Sequence, residues 1–292
     1  MATTLRYPFN VDAYRLGFLP GFREDGSFQD DDVPNADVPV GFLDNNFHDP
    51  DLDRYLPRFE TYDPSVAVIG DAYTPTEADK YDNVVSELAG EHPHKEFIVV
   101  PKADDVVPAL SGDLTLGVPV GYSDIHADDL GWYHFRGHDV HILGGTPDTQ
   151  YDAIQKLTQP TLDDRDPANI KGVDWNGFFR PAFARPGEYW TPTGWNPDYG
   201  STTRETVKQS LKHVKEFWQS KGLWPDTEPR EIYGDAVEEP DDSIWIDAGG
   251  DPITTQGELE HAYLEDYDEY GTLAFSSETA KNWFEYRARL LR

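Results

Sequence analysis

Between Val40 and Asn176 the chain alternates short apolar runs with polar turns and amphipathic stretches of helical length. The runs occupy residues 40–44, 66–71, 96–102, 114–121, 140–145 and 170–174. Runs that are apolar throughout mark strands covered on both faces, and helix-length connections make such strands parallel. A further candidate near Leu16 and Leu19 brings the pattern close to a (β/α)8 TIM-like barrel. An open doubly wound sheet has the same local pattern, so the strands alone leave both α/β architectures open. Thr76 ahead of residues 77–88 and Asp148 ahead of residues 151–157 read as helix starts, with Gly90 and Pro160 as the stops.

After Asn176 the pattern changes. Residues 178–199 are rich in aromatics, Pro and Gly and read as irregular. A helix follows, capped by Thr202 or Thr203, with Val207, Leu211, Val214 and Trp218 as its apolar stripe. Residues 225–242 read as an acidic surface connection, 243–252 as a small hairpin and 278–291 as a final helix. The expected organisation is therefore a barrel over residues 1–200 and a C-terminal helical and irregular extension over 201–292, packed on the barrel.

Composition narrows the chemistry. The 292 residues are 38% hydrophobic and 13% aromatic, enough for a substantial core. Fifty-five acidic against 24 basic residues give a net charge of −31, spread among the apolar runs rather than gathered in a tail. Such an acid-coated surface suits molar salt, where the screening length falls to about 3 Å and self-repulsion is largely cancelled. The expected setting is the cytoplasm of a salt-in organism, with the gene its own or that of its virus. The absence of Cys excludes disulfides, thiolate nucleophiles and Cys-held metals. The start has no basic segment followed by an apolar one, and no apolar run reaches 18 residues, so neither a signal peptide nor a membrane contact is expected. No His-Glu-x-x-His pattern occurs among the nine His, and no metal is expected.

In a barrel the C-terminal strand ends form the functional rim. Asp44, Asp71 and Asp174 each close a run, Lys102 closes another, and Gly121 and Gly144-Gly145 leave open space at two more. Any one Asp reads equally well as a helix N-cap. Together with the Lys they make a convergent polar site. Two carboxylates facing one pocket can divide nucleophilic and proton-transfer roles, as glycosyl transfer requires. A sugar hydrolase fits this pattern equally.

The segments Leu43-Asp-Asn-Asn-Phe47, Ile69-Gly-Asp71, Gly117-Val-Pro-Val-Gly121, His141-Ile-Leu-Gly-Gly-Thr-Pro147 and Val173-Asp-Trp-Asn176 resemble the tRNA-guanine transglycosylase superfamily. They are most similar to its virus-associated branch, the 7-deazaguanine DNA transglycosylases. The resemblance covers roughly residues 40–195 and implies exchange of guanine in DNA for a 7-deazaguanine base, without a cofactor. It implies Asp174 as covalent nucleophile, Asp44 as general acid/base and Asp71 as reader of the guanine edge. Lys102 stands where the tRNA enzymes have a base-reading Gln, and Pro119, Val120 and Gly121 occupy the segment whose backbone contacts the base. The tRNA enzymes also hold a structural zinc with three Cys and one His; this chain has no Cys, which favours the DNA branch. The implied partners are guanine-containing DNA and a free base of the preQ0 or preQ1 type.

Arg204, Lys208, Lys212 and Lys215 recur at four, four and three residues along one helical face, a strip able to track phosphates or a solvated face balancing nearby acids. Arg180 and Arg185, among Phe178, Phe179, Tyr189, Trp190 and Trp195, offer further contacts, since each stacked base gains about 1–3 kcal/mol. Phe47, Tyr73 and Tyr122 are rim candidates for holding a flipped base.

Overall fold

The computed structural model describes residues 1–5, 9–24, 38–111, 114–121, 123–161, 165–183, 187–199 and 201–234, with the backbone alone at 245–246 and 252–253. They form two compact units: residues 1–4, 19–25 and 39–175 make one, and 5–18, 26–38 and 176–292 the other. The expected division at residue 200 therefore falls earlier, after Trp175, and a segment from between the first two strands belongs with the C-terminal part.

The first unit is a closed barrel of eight parallel strands in chain order. They are β1 (Ala2–Thr4), β2 (Leu19–Arg23), β3 (Phe42–Asp44), β4 (Val66–Ala72), β5 (Glu96–Pro101), β6 (Thr115–Pro119), β7 (Asp139–Leu143) and β8 (Asn169–Asp174). Closure is made by β8 pairing with β1, Ala2 opposite Asp174. This is the (β/α)8 TIM-like architecture, and the doubly wound alternative is excluded by the closure. Helix α1 (Phe9–Arg15) lies in the second unit; the barrel unit carries α2 (Leu52–Tyr62), α3 (Pro75–Glu91), the one-turn α4 (Ala127–Leu130) and α5 (Pro147–Thr158).

The caps differ from expectation by a residue or two. Thr74, not Thr76, caps α3 by accepting the Glu77 N–H, with Pro75 as the first helical residue. Thr146 precedes α5, and Asp148 lies within its first turn. Both helices thus begin Thr-Pro, and the Pro fixes the start.

Ala2, Phe42, Val68, Ile98 and Val100, with Leu19, Val66 and Leu143 against them, fill the barrel interior. Alternation along each strand then decides what reaches the mouth. On two strands it is reset by one extra residue. In β4 the pairing runs Val68 with Ile98 and then Gly70 with Val99, leaving Ile69 unmatched. A Cβ on Gly70 would meet the Tyr81 ring of α3 at 2.5 Å, so position 70 faces outward and Asp71 inward. In β8 the pairing passes from Ile170 opposite Val140 to Gly172 opposite His141, skipping Lys171, and Asp174 comes opposite Leu143. Both bulges re-aim a strand-end carboxylate.

The second unit contains α1, α6 (Phe179–Ala182), an antiparallel hairpin of β9 (Gly187–Thr191) and β10 (Gly194–Asp198), α7 (Thr203–Ser220) and α8 (Pro229–Tyr233). Within residues 178–199, expected to be irregular, Phe179–Ala182 thus form a helical turn, and Gly187–Thr191 and Gly194–Asp198 a hairpin. Thr202 caps α7 in a capping box with Glu205. Val207, Leu211, Val214 and Trp218 are all buried, as the stripe requires. Pro229–Tyr233 places a short helix in the expected connection, and β11 (Trp245–Ile246) pairs with β12 (Pro252–Ile253) where a hairpin was expected. The expected helix at 278–291 lies outside the described residues.

One buried ion pair ties α1 to α7: Arg204 donates from Nε and Nη2 to the two Asp12 oxygens at 2.6 and 2.7 Å. Removing Arg204 takes both close donors from the buried Asp12 carboxylate and leaves Lys208 Nζ 3.7 Å from its Oδ1. Arg204→Met should cost about 3–5 kcal/mol, read as a lower urea midpoint at unchanged slope in the salt that supports folding. A loss below 1 kcal/mol would show the pair to be replaceable by water.

Candidate active site

The mouth is built from inward-facing strand ends. Arg23 closes β2 and stands opposite Asp44, which closes β3. Asp71 lies on β4 just past its bulge, Lys102 follows β5, and Asp174 closes β8. The three expected carboxylates are thus brought to one end of one barrel, and they interact: the charges of Asp174 and Asp71 both act on Asp44.

Their environments differ. Burial pushes the Asp44 carboxyl well above the ordinary range, and repulsion from Asp174 and then Asp71 adds to it; Arg23 and the Asn45 N–H, 3.0 Å from Oδ1, oppose this. Burial also raises Asp174, but the charge of His141 and the Gly144 N–H, 3.3 Å from Oδ1, pull the other way. Asp71 is raised by burial and held back by Lys102, whose Nζ is 3.1 Å from its Oδ2. Asp44 therefore favours its protonated form, while Asp174 has donors that favour its ionised form.

Lys102, expected to read the base, is engaged with protein groups on three sides. Besides Asp71, its Nζ donates to Ser123 Oγ at 2.7 Å and lies 3.5 Å from Asp124 Oδ1. Its three N–H groups thus have protein acceptors in reach. Tyr73 Oη donates to the other Asp124 oxygen at 3.0 Å, so the segments after β4, β5 and β6 meet in one network. Burial pushes Asp124 up, but the Tyr73 bond and the Lys102 charge outweigh it and hold the carboxyl low.

The glycines do not leave open space. A Cβ on Gly121 would lie 2.0 Å from Gly145 N, so the turns after β6 and β7 pack backbone to backbone. Gly144 and Gly145 adopt φ of 66° and 76°, the left-handed region that favours Gly. The Val120 N–H is spent on Leu143 O at 3.0 Å. This packing aims the Gly144 N–H at Asp174. Phe47 is half-buried beside His48, its ring 4.2 Å away, and Tyr73 is 42% exposed. Tyr122 and Arg185 lie outside the described residues.

The basic strip of α7, in the second unit, is largely engaged within that unit. Arg204 is paired with Asp12, and Lys208 lies 3.7 Å from Asp12 Oδ1. Lys215 donates to Leu16 O and Glu228 Oε1, both at 2.8 Å. Lys212 and Arg180 are exposed. Phe178 and Trp190 are buried, Tyr189 stacks on His213, and Trp195 stays 39% exposed. The four-residue spacing expected to track phosphates mainly holds the unit together.

Two supports escape sequence reading. Glu24, 1% exposed, follows Arg23 and receives Arg54 Nε and Nη2 at 2.8 and 2.9 Å, Arg58 Nη1 at 3.3 Å and the Asn46 N–H at 3.2 Å. Its own N–H donates to Asp44 O, so the clamp fixes the segment that carries Asp44. The spacing of Arg54 and Arg58 on one helical face was the available signal. Gln150, fully buried on α5, donates Nε2 to Gly144 O at 2.8 Å and to Asp174 O at 2.6 Å.

Among the described residues the only grouping with metal-ligand spacing is Glu60, Glu91 and His92, at the surface on the helix ends far from the mouth. No helix among them is long and apolar enough to cross a membrane.

The fold and the mouth define a (β/α)8 barrel with an acidic C-terminal rim. The chain belongs to DUF6610, a family of unknown function, whose family model matches residues 13–219. The match takes in all three rim Asp and α7. No curated protein matches the sequence.

The raised Asp44 has a consequence for stability. A carboxyl whose folded value exceeds its unfolded value, about 4, contributes stability fully below that unfolded value and loses it as pH rises through the folded value. Asp44→Asn should therefore melt higher than the parent at pH 7, by about 2–4 °C for each kcal/mol relieved, and the gap should close toward pH 4. A variant that melts lower at pH 7 would place Asp44 in a stabilising ion pair instead.

Proposed function

We propose that the protein is a DNA base-exchange enzyme that replaces guanine by a 7-deazaguanine base through a covalent Asp174–deoxyribose intermediate. The observation that carries the reading is a pair of carboxylates that repel each other at one barrel mouth, Asp44 raised by burial and by that repulsion, and Asp174 raised by burial but held back by the Gly144 N–H and His141. Enzymes that use paired carboxylates on a sugar divide acid and nucleophile in this way.

In the proposed cycle a guanine is flipped from the DNA into the mouth, since its anomeric carbon is out of reach within a duplex. An Asp174 oxygen bonds to that carbon as the bond to guanine breaks, and Asp44 delivers the proton that guanine takes with it. The incoming 7-deazaguanine returns a proton to Asp44, attacks the same carbon and frees Asp174. Proton and electron balance close without a cofactor or metal. Asp71 accepts from the ring and exocyclic N–H groups of either base. Lys102 holds Asp71 in place and, on giving up Asp124 or Ser123, can donate to the base carbonyl. The acidic charge fits work in the hypersaline cytoplasm of a host cell.

The engagement of the α7 cations favours one second reading, a carbohydrate enzyme using the same carboxylates on an uncharged glycoside.

Nucleoside mass spectrometry of DNA from cells that make the protein together with a 7-deazaguanine supply decides between them. A 7-deazaguanine deoxynucleoside should accumulate with the wild type and be lost with Asp174→Ala, which removes the bonding atom and no core contact. Unmodified DNA with the wild type, alongside turnover of an aryl glycoside, would establish the second reading.

A further inference from the structure

We propose that His141 is a positioning residue for Asp174, an imidazole buried in the barrel that biases the charge of the carboxylate from behind. The inference rests on the reading of Asp174 as nucleophile.

His141 is 3% exposed, in an interior otherwise filled largely by Ala2, Phe42, Val68, Ile98 and Val100. The sequence makes room for it. Its partners in register on the flanking strands are Gly117 of β6 and Gly172 of β8. A Cβ on Gly172 would lie 2.7 Å from His141 Cε1, so no larger residue fits beside the ring. The Phe42 ring packs against it at 5.5 Å.

Two features go beyond packing. Nδ1 lies 3.4 Å from Glu96 Oε1 on β5, which orients the ring. Nε2 is buried and has no hydrogen-bond partner among the described residues. A buried nitrogen left without a partner is costly, so an apolar side chain would serve packing better here.

The charged groups around the ring are few. Glu96 faces it from β5 and Asp174 from β8, while the Met1 amine at the start of β1 acts on both of these carboxylates. Phe42 of β3 is apolar and Gly117 of β6 has no side chain. Gly172 and Asp174 are alternate residues of β8, so ring and carboxylate share one inward face about 7 Å apart along the strand. Asp44 has a different counter-charge, Arg23. The two carboxylates thus have unlike neighbours, a guanidinium at Asp44 and an imidazole at Asp174.

The test is a carbon-13 NMR titration of the Asp174 carboxyl, which needs no substrate. In His141→Gln the midpoint should move upward by about one unit or more, the effect of removing a nearby positive charge. His141→Asn, a smaller amide, should move the same midpoint upward as well, and this arm stands if the first variant does not fold. Unmoved midpoints would overturn the proposal. Coupling found in a protein that fails to exchange bases would support the role of His141 behind Asp174 and count against the reaction instead.

Discussion

Like charges gathered in a recessed mouth are the constraint on which the rest of this structure depends. Asp44, Asp71 and Asp174 are cut off from much of the water that would stabilise them, and each of the others makes Asp44 harder to ionise. Such a cluster persists only if cations and N–H groups are fixed around it. Lys102 serves Asp71, Arg23 serves Asp44, and His141 with the Gly144 N–H serves Asp174. The shares are unequal: repulsion adds to burial at Asp44, whereas at Asp174 the neighbouring groups oppose burial. That asymmetry is what the proposed division of roles between the two carboxylates draws on.

Much of the remaining architecture holds those partners still. The Glu24 clamp fixes the backbone around Asp44, Gln150 joins Gly144 to Asp174, and the packing of Gly121 against Gly144 and Gly145 points an N–H at a carboxylate. Bulges in β4 and β8 turn two Asp inward that plain alternation would send toward the helices. These features destabilise their own strands slightly and make sense only through the site they shape.

The barrel was legible where strands are continuous apolar runs: β3 to β8 all fall on such runs. β2 was half visible, because its Pro-Gly-Phe-Arg segment lacks a β-branched residue, and three-residue β1, Ala-Thr-Thr, has too little apolar character to register. The hairpin at 187–198 was missed because its Trp, Tyr, Pro and Gly are turn formers and strand formers at once. Of the site, the three Asp and Lys102 were readable as strand ends. Their supports were not, since Glu24 with Arg54 and Gln150 with Asp174 are joined only by folding, as are Asp12 and Arg204 of the second unit, across 192 residues. The α7 cations illustrate the limit: helical spacing gave their common face, and only the structure gave Asp12 and Glu228 as partners.

The central claim is that Asp174 bonds to the sugar while Asp44 handles the proton. Peptide mapping after a denaturing quench of the protein mixed with guanine-containing DNA, without an incoming base, tests it most directly. The account predicts a deoxyribose-linked mass on the peptide that contains Asp174, and loss of that mass on later addition of a 7-deazaguanine before the quench. An adduct on a peptide lacking Asp174, or base exchange that continues in Asp174→Ala, would contradict it.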